Sequence, residues 1–165
     1  MDTNTLDITV YSRSTGEIAQ ISSCDYDLIH HYYDSATQNF ILGHYSSNDG
    51  YVDVKKSVFV EYPPKPSEFY VFDYKTKEWV YLQDFQKETY FNQVNNLAGN
   101  KITGKYPIYA QLNIGRTPEA QVMYDYIDAV RALANEYRDK IVAAKSESGI
   151  DKLMAEYIVK LDAIQ

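Results

Sequence analysis

The sequence predicts an α+β protein, a small antiparallel β-hairpin region followed by a helical hairpin, and two observations carry that reading. Up to Tyr81 the chain is built of short, tyrosine-rich alternating segments separated by turn residues, whereas beyond Leu82 apolar residues recur at steps of four and three. Alternation is the period of a half-buried strand and the 4-3 step that of an amphipathic helix. The change of period divides the chain into a β part, residues 1–81, and a helical part, residues 82–165.

In chain order, Asp7-Ile8-Thr9-Val10-Tyr11 alternates, Ser14-Thr15-Gly16 turns, and Glu17-Ile18-Ala19-Gln20-Ile21 can return as the second arm of a hairpin. Cys24 to Asp34 reads either as a helical turn or as a long loop. Phe40 to Tyr45 and Tyr51 to Val54 flank Ser46-Ser47-Asn48-Asp49-Gly50, where Asp-Gly is a strong short-range hairpin signal. Val58 to Glu61 adds a strand. Tyr62-Pro63-Pro64-Lys65-Pro66 then reads as a stiff extended linker, because proline cannot donate to a sheet ladder. Phe69-Tyr70-Val71-Phe72 and Trp79-Val80-Tyr81 flank a third turn over Asp73 to Glu78.

Three helices are expected after this, over about 84–98, 118–146 and 150–164. The first carries Phe91, Val94, Leu97 and Ala98 on one side and stops at Gly99-Asn100. Gly104 to Tyr109 breaks the pattern and is expected to wrap back over the helices, held by its tyrosines. The long helix has Thr117 as N-cap, Pro118 at the first helical position and Glu119 at the positive end of the dipole. Its seam is Met123, Ile127, Val130, Ala134, Tyr137, Ile141 and Ala144, a coiled-coil-like repeat. Small and polar residues from Lys145 to Gly149 interrupt it, and Ile150, Met154, Tyr157, Leu161 and Ile164 resume it. So short a connection makes the last two helices antiparallel.

Charge narrows the functional classes. Residues 1–81 hold 12 acids and 6 bases, and residues 82–165 hold 11 and 10, within a formal net charge of −7. Nucleic-acid binding depends on clustered Lys and Arg, so it is not expected. No apolar run approaches the roughly 20 residues that span a bilayer. The first residues lack the basic and apolar regions of a signal peptide, and a lone cysteine, Cys24, makes no internal disulfide, so a cytoplasmic location is expected.

Motifs of chemistry are missing: there is no phosphate-cradling glycine loop, zinc-protease helix or nucleophile elbow, and no cofactor is expected. One cluster, Cys24, His30, His31, Asp34 and His44, has ligand-type side chains. Were residues 27–34 helical, His30 and Asp34 would share a face that suits a transition metal, but the spacing matches no recognised site. Cys24 as a thiol nucleophile has no orienting third group. A non-enzyme is the expectation.

The 17 tyrosines are the compositional oddity. Tyrosine offers a rigid ring with a polar tip and is favoured at protein interfaces, although half-exposed strands account for many of them. The group formed by Tyr106, Tyr109, Tyr124 and Tyr126 surrounds the start of the long helix. The seam itself has two readings, a surface packed within the chain or a docking face for another chain. As the candidate partner-binding surface we single out Tyr106, Tyr109, Met123, Tyr126, Ile127, Val130, Tyr137 and Ile141.

Several segments in order carry a resemblance: Ser14-Thr15-Gly16-Glu17-Ile18, Gly50-Tyr51-Val52-Asp53-Val54, Pro63-Pro64-Lys65-Pro66, and Phe72-Asp73-Tyr74-Lys75-Thr76-Lys77-Glu78-Trp79-Val80. Together with Lys105 to Asn113 leading into a helix, this series resembles the tail-fibre assembly proteins of tailed bacteriophages and related small phage tail proteins. The resemblance covers about half the chain. It implies a non-enzymatic chaperone that covers the apolar C-terminal tip of a tail fibre until the fibre has trimerised, working in the host cytoplasm. The alternative is a structural virion component, a baseplate or fibre adaptor in the tail that forms homo-oligomers through its helices. No established functional residue comes with the resemblance.

Overall fold

The computed structural model describes residues 5–115 and 118–165 and has the α+β architecture, with antiparallel strands in the N-terminal half and helices in the C-terminal half. Two compact units divide it, Met1–Tyr81 and Leu82–Gln165.

Among the described residues the first unit holds seven strands in three separate sheets. β1 (Thr5–Ser12) lies between β2 (Ile18–Asp25) and β3 (Gln38–Leu42), antiparallel to both. Both faces of β1 are covered, so Ile8, Thr9, Val10 and Tyr11 are all buried instead of alternating. Ile8 and Val10 pack with Cys24 and with Ile29 of a 3-10 helix, Tyr26–His31. Tyr11, on the opposite face, packs with Ile18 and Val52. The segment with two readings, Cys24 to Asp34, is therefore the end of a strand and a helical turn. Buried Thr9 is satisfied: its hydroxyl donates to Gly43 O at 2.8 Å and accepts from Tyr45 N–H at 3.0 Å.

The hairpin expected across Asp49-Gly50 does not form. β3 pairs with β1, and β4 (Gly50–Asp53) pairs with β5 (Val58–Glu61). Gly50 is needed for another reason: a Cβ there would lie 2.2 Å from Val60 O and 2.6 Å from the Phe59 ring, so glycine permits close strand approach rather than a turn. β6 (Tyr70–Asp73) and β7 (Glu78–Tyr81) form the last hairpin.

The two later hairpins are one design displaced by twenty residues. Asp53 pairs with Val58 and Val52 with Phe59, as Asp73 pairs with Glu78 and Phe72 with Trp79. In each, the aspartate carboxylate accepts a backbone N–H two residues on, Lys55 at 2.9 Å and Lys75 at 2.7 Å. Its carbonyl accepts the N–H four residues on, from Ser57 and Lys77, both at 2.7 Å. Ser57 and Lys77 sit in the left-handed region, with φ 54° and 62°. The first hairpin uses the same closure, Gly16 N–H to Ser12 O at 2.8 Å with φ 76° at Gly16.

The second unit packs α1 (Gln83–Lys105), α3 (Pro118–Ala143) and α4 (Glu147–Ala163) around a shared core, with α2 (Ile108–Asn113) in the connection between α1 and α3. Arg138 meets Asn95, and Lys87 meets Val142 O, so α1 and α3 run antiparallel; Gln86 meets Asp151, and Tyr157 meets Val94 O, so α1 and α4 run parallel. The expected helical hairpin is thus two legs of a three-helix arrangement.

Helix bounds depart from the expectation at three places. α1 continues through Gly99-Asn100 to Lys105, because Val94, Ala98 and Ile102 bury one stripe and tertiary packing outweighs the roughly 1 kcal/mol that glycine costs a helix. α3 ends at Ala143. α4 begins at Glu147 instead of Ile150: Ser146 caps it by accepting Gly149 N–H at 3.2 Å, which places Ser148 and Gly149 in the first turn. The cap expected at Thr117 lies outside the described residues.

Candidate functional site

Six of the eight residues singled out for partner binding are buried. Met123, Val130, Tyr137 and Ile141 are wholly inaccessible, and Ile127 is 3% and Tyr126 6% exposed. They form the core with Val94, Ala98 and Ile102 of α1 and Ile150, Met154, Tyr157 and Leu161 of α4. The seam is therefore the interior of its own unit and not an open face. A 4-3 repeat specifies a packing stripe without saying whose helix covers it, and here α1 and α4 do.

The core's tyrosines have polar partners at their tips. Tyr157 donates to Val94 O at 3.1 Å and its ring lies 5.6 Å from that of Tyr137, whose hydroxyl reaches Glu156 at 3.3 Å. Burial pushes the Tyr157 and Tyr126 phenols above their ordinary pKa. Tyr106 packs edge-on against Tyr126, centroids 5.5 Å apart, with Lys105 Nζ 4.2 Å from the Tyr126 ring centre. Tyr106 is the anchor expected of this segment.

Tyr109 is not an anchor; it is 70% exposed. It belongs to α2, none of whose residues is buried, and Ile108 and Leu112 beside it are 64% and 78% exposed. Val122 and Tyr124 on the first turns of α3 are exposed too. The accessible apolar surface near the start of the long helix thus consists of Ile108, Tyr109, Leu112, Val122 and Tyr124. Ile108 and Leu112 escaped the sequence reading because a six-residue segment is too short to show a period; the signal was two large apolar residues four apart between Pro107 and Gly115.

The ligand-type cluster of the first unit is dispersed into other tasks. Cys24 is buried on β2. The His30 and His31 rings lie against each other, centroids 4.1 Å apart, on the 3-10 helix. Asp34 accepts Ala36 N–H at 3.0 Å and the Thr37 hydroxyl at 2.9 Å, bonds that hold its carboxyl below the ordinary value. Among the described residues no three His, Cys, Asp or Glu side chains are placed to share a metal ion.

The segments that carry the resemblance meet in space. Val52 N–H donates to Gly16 O at 2.9 Å, and a Cβ on Gly16 would stand 1.9 Å from Val52 O. Lys77 Nζ donates to Thr15 O and lies 4.3 Å from the centre of the Tyr51 ring. Its burial lowers its pKa, against the opposing pull of Asp53 and Asp73. Trp79 Nε1 donates to Pro63 O at 2.9 Å, and Tyr62 packs on Phe72 at 4.5 Å while its hydroxyl lies 2.8 Å from that of Tyr74. The proline segment is therefore a packed connector between two hairpins within the first unit. These short motifs assemble the β unit; what they build is architecture.

What the fold and surface define is a two-unit α+β protein with three large apolar side chains exposed on one short helix. Comparisons with protein-family models, curated proteins and solved structures gave no match. Among the described residues no helix is long and apolar enough to cross a membrane.

Proposed function

We propose that the protein is a non-enzymatic assembly helper for a tailed-phage tail fibre, holding the fibre's apolar C-terminal tip while it trimerises. The observation that carries the binding part is the exposed α2, whose Ile108, Tyr109 and Leu112 offer apolar area without contributing to the core. The ordered motifs from Gly16 to Trp79 support the phage context. A fibre tip folds through slow, non-local β pairing and exposes unpaired strand edges meanwhile, so a protein that covers the tip prevents aggregation. The buried seam moves the proposed contact from the face of α3 to α2 and the start of α3.

Co-expression with the gene immediately upstream tests this, with soluble trimeric fibre measured by size-exclusion chromatography. Fibre soluble only in the presence of the protein is the expected result, and Leu112→Asp or Tyr109→Asp should abolish it while leaving the helper folded. Fibre that folds equally well alone would overturn the proposal. The protein at fixed copy number in purified virions, with no effect on fibre folding, would assign it instead to a permanent place in the tail.

A further inference from the structure

A groove of about 410 Å3 runs between α1 and α3, with Ile108 and Gln111 of α2 completing its wall. Its floor is low because the residues there are small: Ala98 on α1, Ala134 on α3, and Gly99, where a Cβ would meet nothing within 4 Å. Glycine within a long helix is unfavourable, and no tight packing requires it here. Its effect is to leave room for something else.

The walls carry charge of one sign. Arg131 and Arg138 line the groove and no carboxylate does, in a chain with 23 acids against 16 bases. Arg138 is held in place by neutral groups: it donates to Asn95 Oδ1 at 2.9 Å and to Asn135 Oδ1, and it lies over the Phe91 ring at 5.1 Å. Among the described residues the ion pairs within 4.0 Å are Lys56 with Asp53 and Lys140 with Glu136, and neither involves these arginines. A guanidinium fixed by amides, with N–H donors to spare, is suited to receive a carboxylate.

Arg131 and Arg138 are two helical turns apart, about 10.5 Å along the axis. Carboxylates seven residues apart on another helix have the same spacing and the same face. We infer that this groove receives an acidic amphipathic helix of a partner protein, with apolar side chains over Ala98, Gly99 and Ala134 and two carboxylates meeting Arg131 and Arg138. Helix-in-groove recognition of this kind takes its affinity from the apolar anchors and its register from the charges. The inference concerns the groove alone and stands whether or not the partner is a tail fibre.

The test uses the full chain and a labelled synthetic helical peptide with leucines on one face and two glutamates seven residues apart, followed by fluorescence anisotropy. Saturable binding is expected, weakened about tenfold or more when the glutamates are replaced by glutamines or when the protein carries Arg131→Gln. Gly99→Leu fills the groove with a better helix former, so it should block binding while the helical circular dichroism is kept. Absence of saturable binding, equal affinity for the glutamate and glutamine peptides, or undiminished binding by folded Gly99→Leu would each overturn the inference.

Discussion

Two glycine-to-alanine substitutions should move stability in opposite directions, and the structure gives both magnitudes. At Gly16 the backbone has φ 76°, where an L-residue costs about 1–2 kcal/mol. The added Cβ would also stand 1.9 Å from Val52 O, a backbone atom that cannot rotate away. Relief requires the first turn to part from β4, which breaks the 2.9 Å bond from Val52 N–H to Gly16 O, about 1 kcal/mol, and loosens Val52 from Tyr11 and Ile18. Gly16→Ala should therefore destabilise the β unit by about 2–3 kcal/mol in sum. At Gly99 nothing opposes a methyl group, and Gly99→Ala should stabilise the helical unit by up to about 1 kcal/mol. Urea unfolding separates the two, because Trp79 is the single tryptophan and its fluorescence reports the β unit, whereas far-ultraviolet circular dichroism is dominated by the helices. A Trp79 transition for Gly16→Ala within about 0.5 kcal/mol of the parent, the ordinary range of surface changes, would refute the convergence of turn and strand described above.

Other consequences can be measured the same way. Ile127→Ala should cost the helical unit about 2–5 kcal/mol and Ile127→Asp should unfold it, since a carboxylate there is buried without a partner, whereas Leu112→Asp should stay within about 0.5 kcal/mol. Ser146→Ala removes the α4 cap and should lower helical stability by about 1 kcal/mol in urea unfolding. Asp34 and Asp73 are held below their ordinary value of 3.8, chiefly by the N–H groups of Ala36 and Lys75. A carboxyl lowered on folding stabilises the protein above its unfolded pKa, and that stabilisation fades as the pH falls through the lower folded value. Asp34→Asn with Asp73→Asn should thus flatten the loss of β-unit stability below about pH 4, read by Trp79 fluorescence.

The fold class was legible because it rests on local periods, two for Asp7 to Tyr11 and the 4-3 step for Met123 to Ile141. Strand pairing was legible for the first and last hairpins but not for the middle one, since Asp49-Gly50 carries a hairpin signal that the pairing of β3 with β1 overrides, and Gly50 serves interstrand contact instead. The twenty-residue repeat lay in plain view, with Asp53, Lys55, Phe59 and Val60 matching Asp73, Lys75, Trp79 and Val80, but only the shared register showed that it matters. Glycine is a poor guide to the helix bounds, because packing carries α1 through Gly99 and the Ser146 cap places Gly149 inside α4. The seam illustrates a wider gap: a stripe of apolar residues is visible in one dimension, and its covering is decided in three. For that reason the seam through Ile127 keeps two readings in the sequence, and the structure shows the packed one, while the exposed Leu112 gives no periodic signal at all.

The twenty-residue hairpin repeat also bears on how quickly the molecule can form. Each later hairpin closes over at most eleven residues, from Gly50 to Glu61 and from Tyr70 to Tyr81, and neither needs a strand from elsewhere in the chain. The longest pairing, Ile8 with Leu42, spans thirty-four residues. Such short strand pairings lower the entropy of closing each hairpin, so the later two hairpins can form before the contacts that join Thr15 to Lys77 across sixty-two residues.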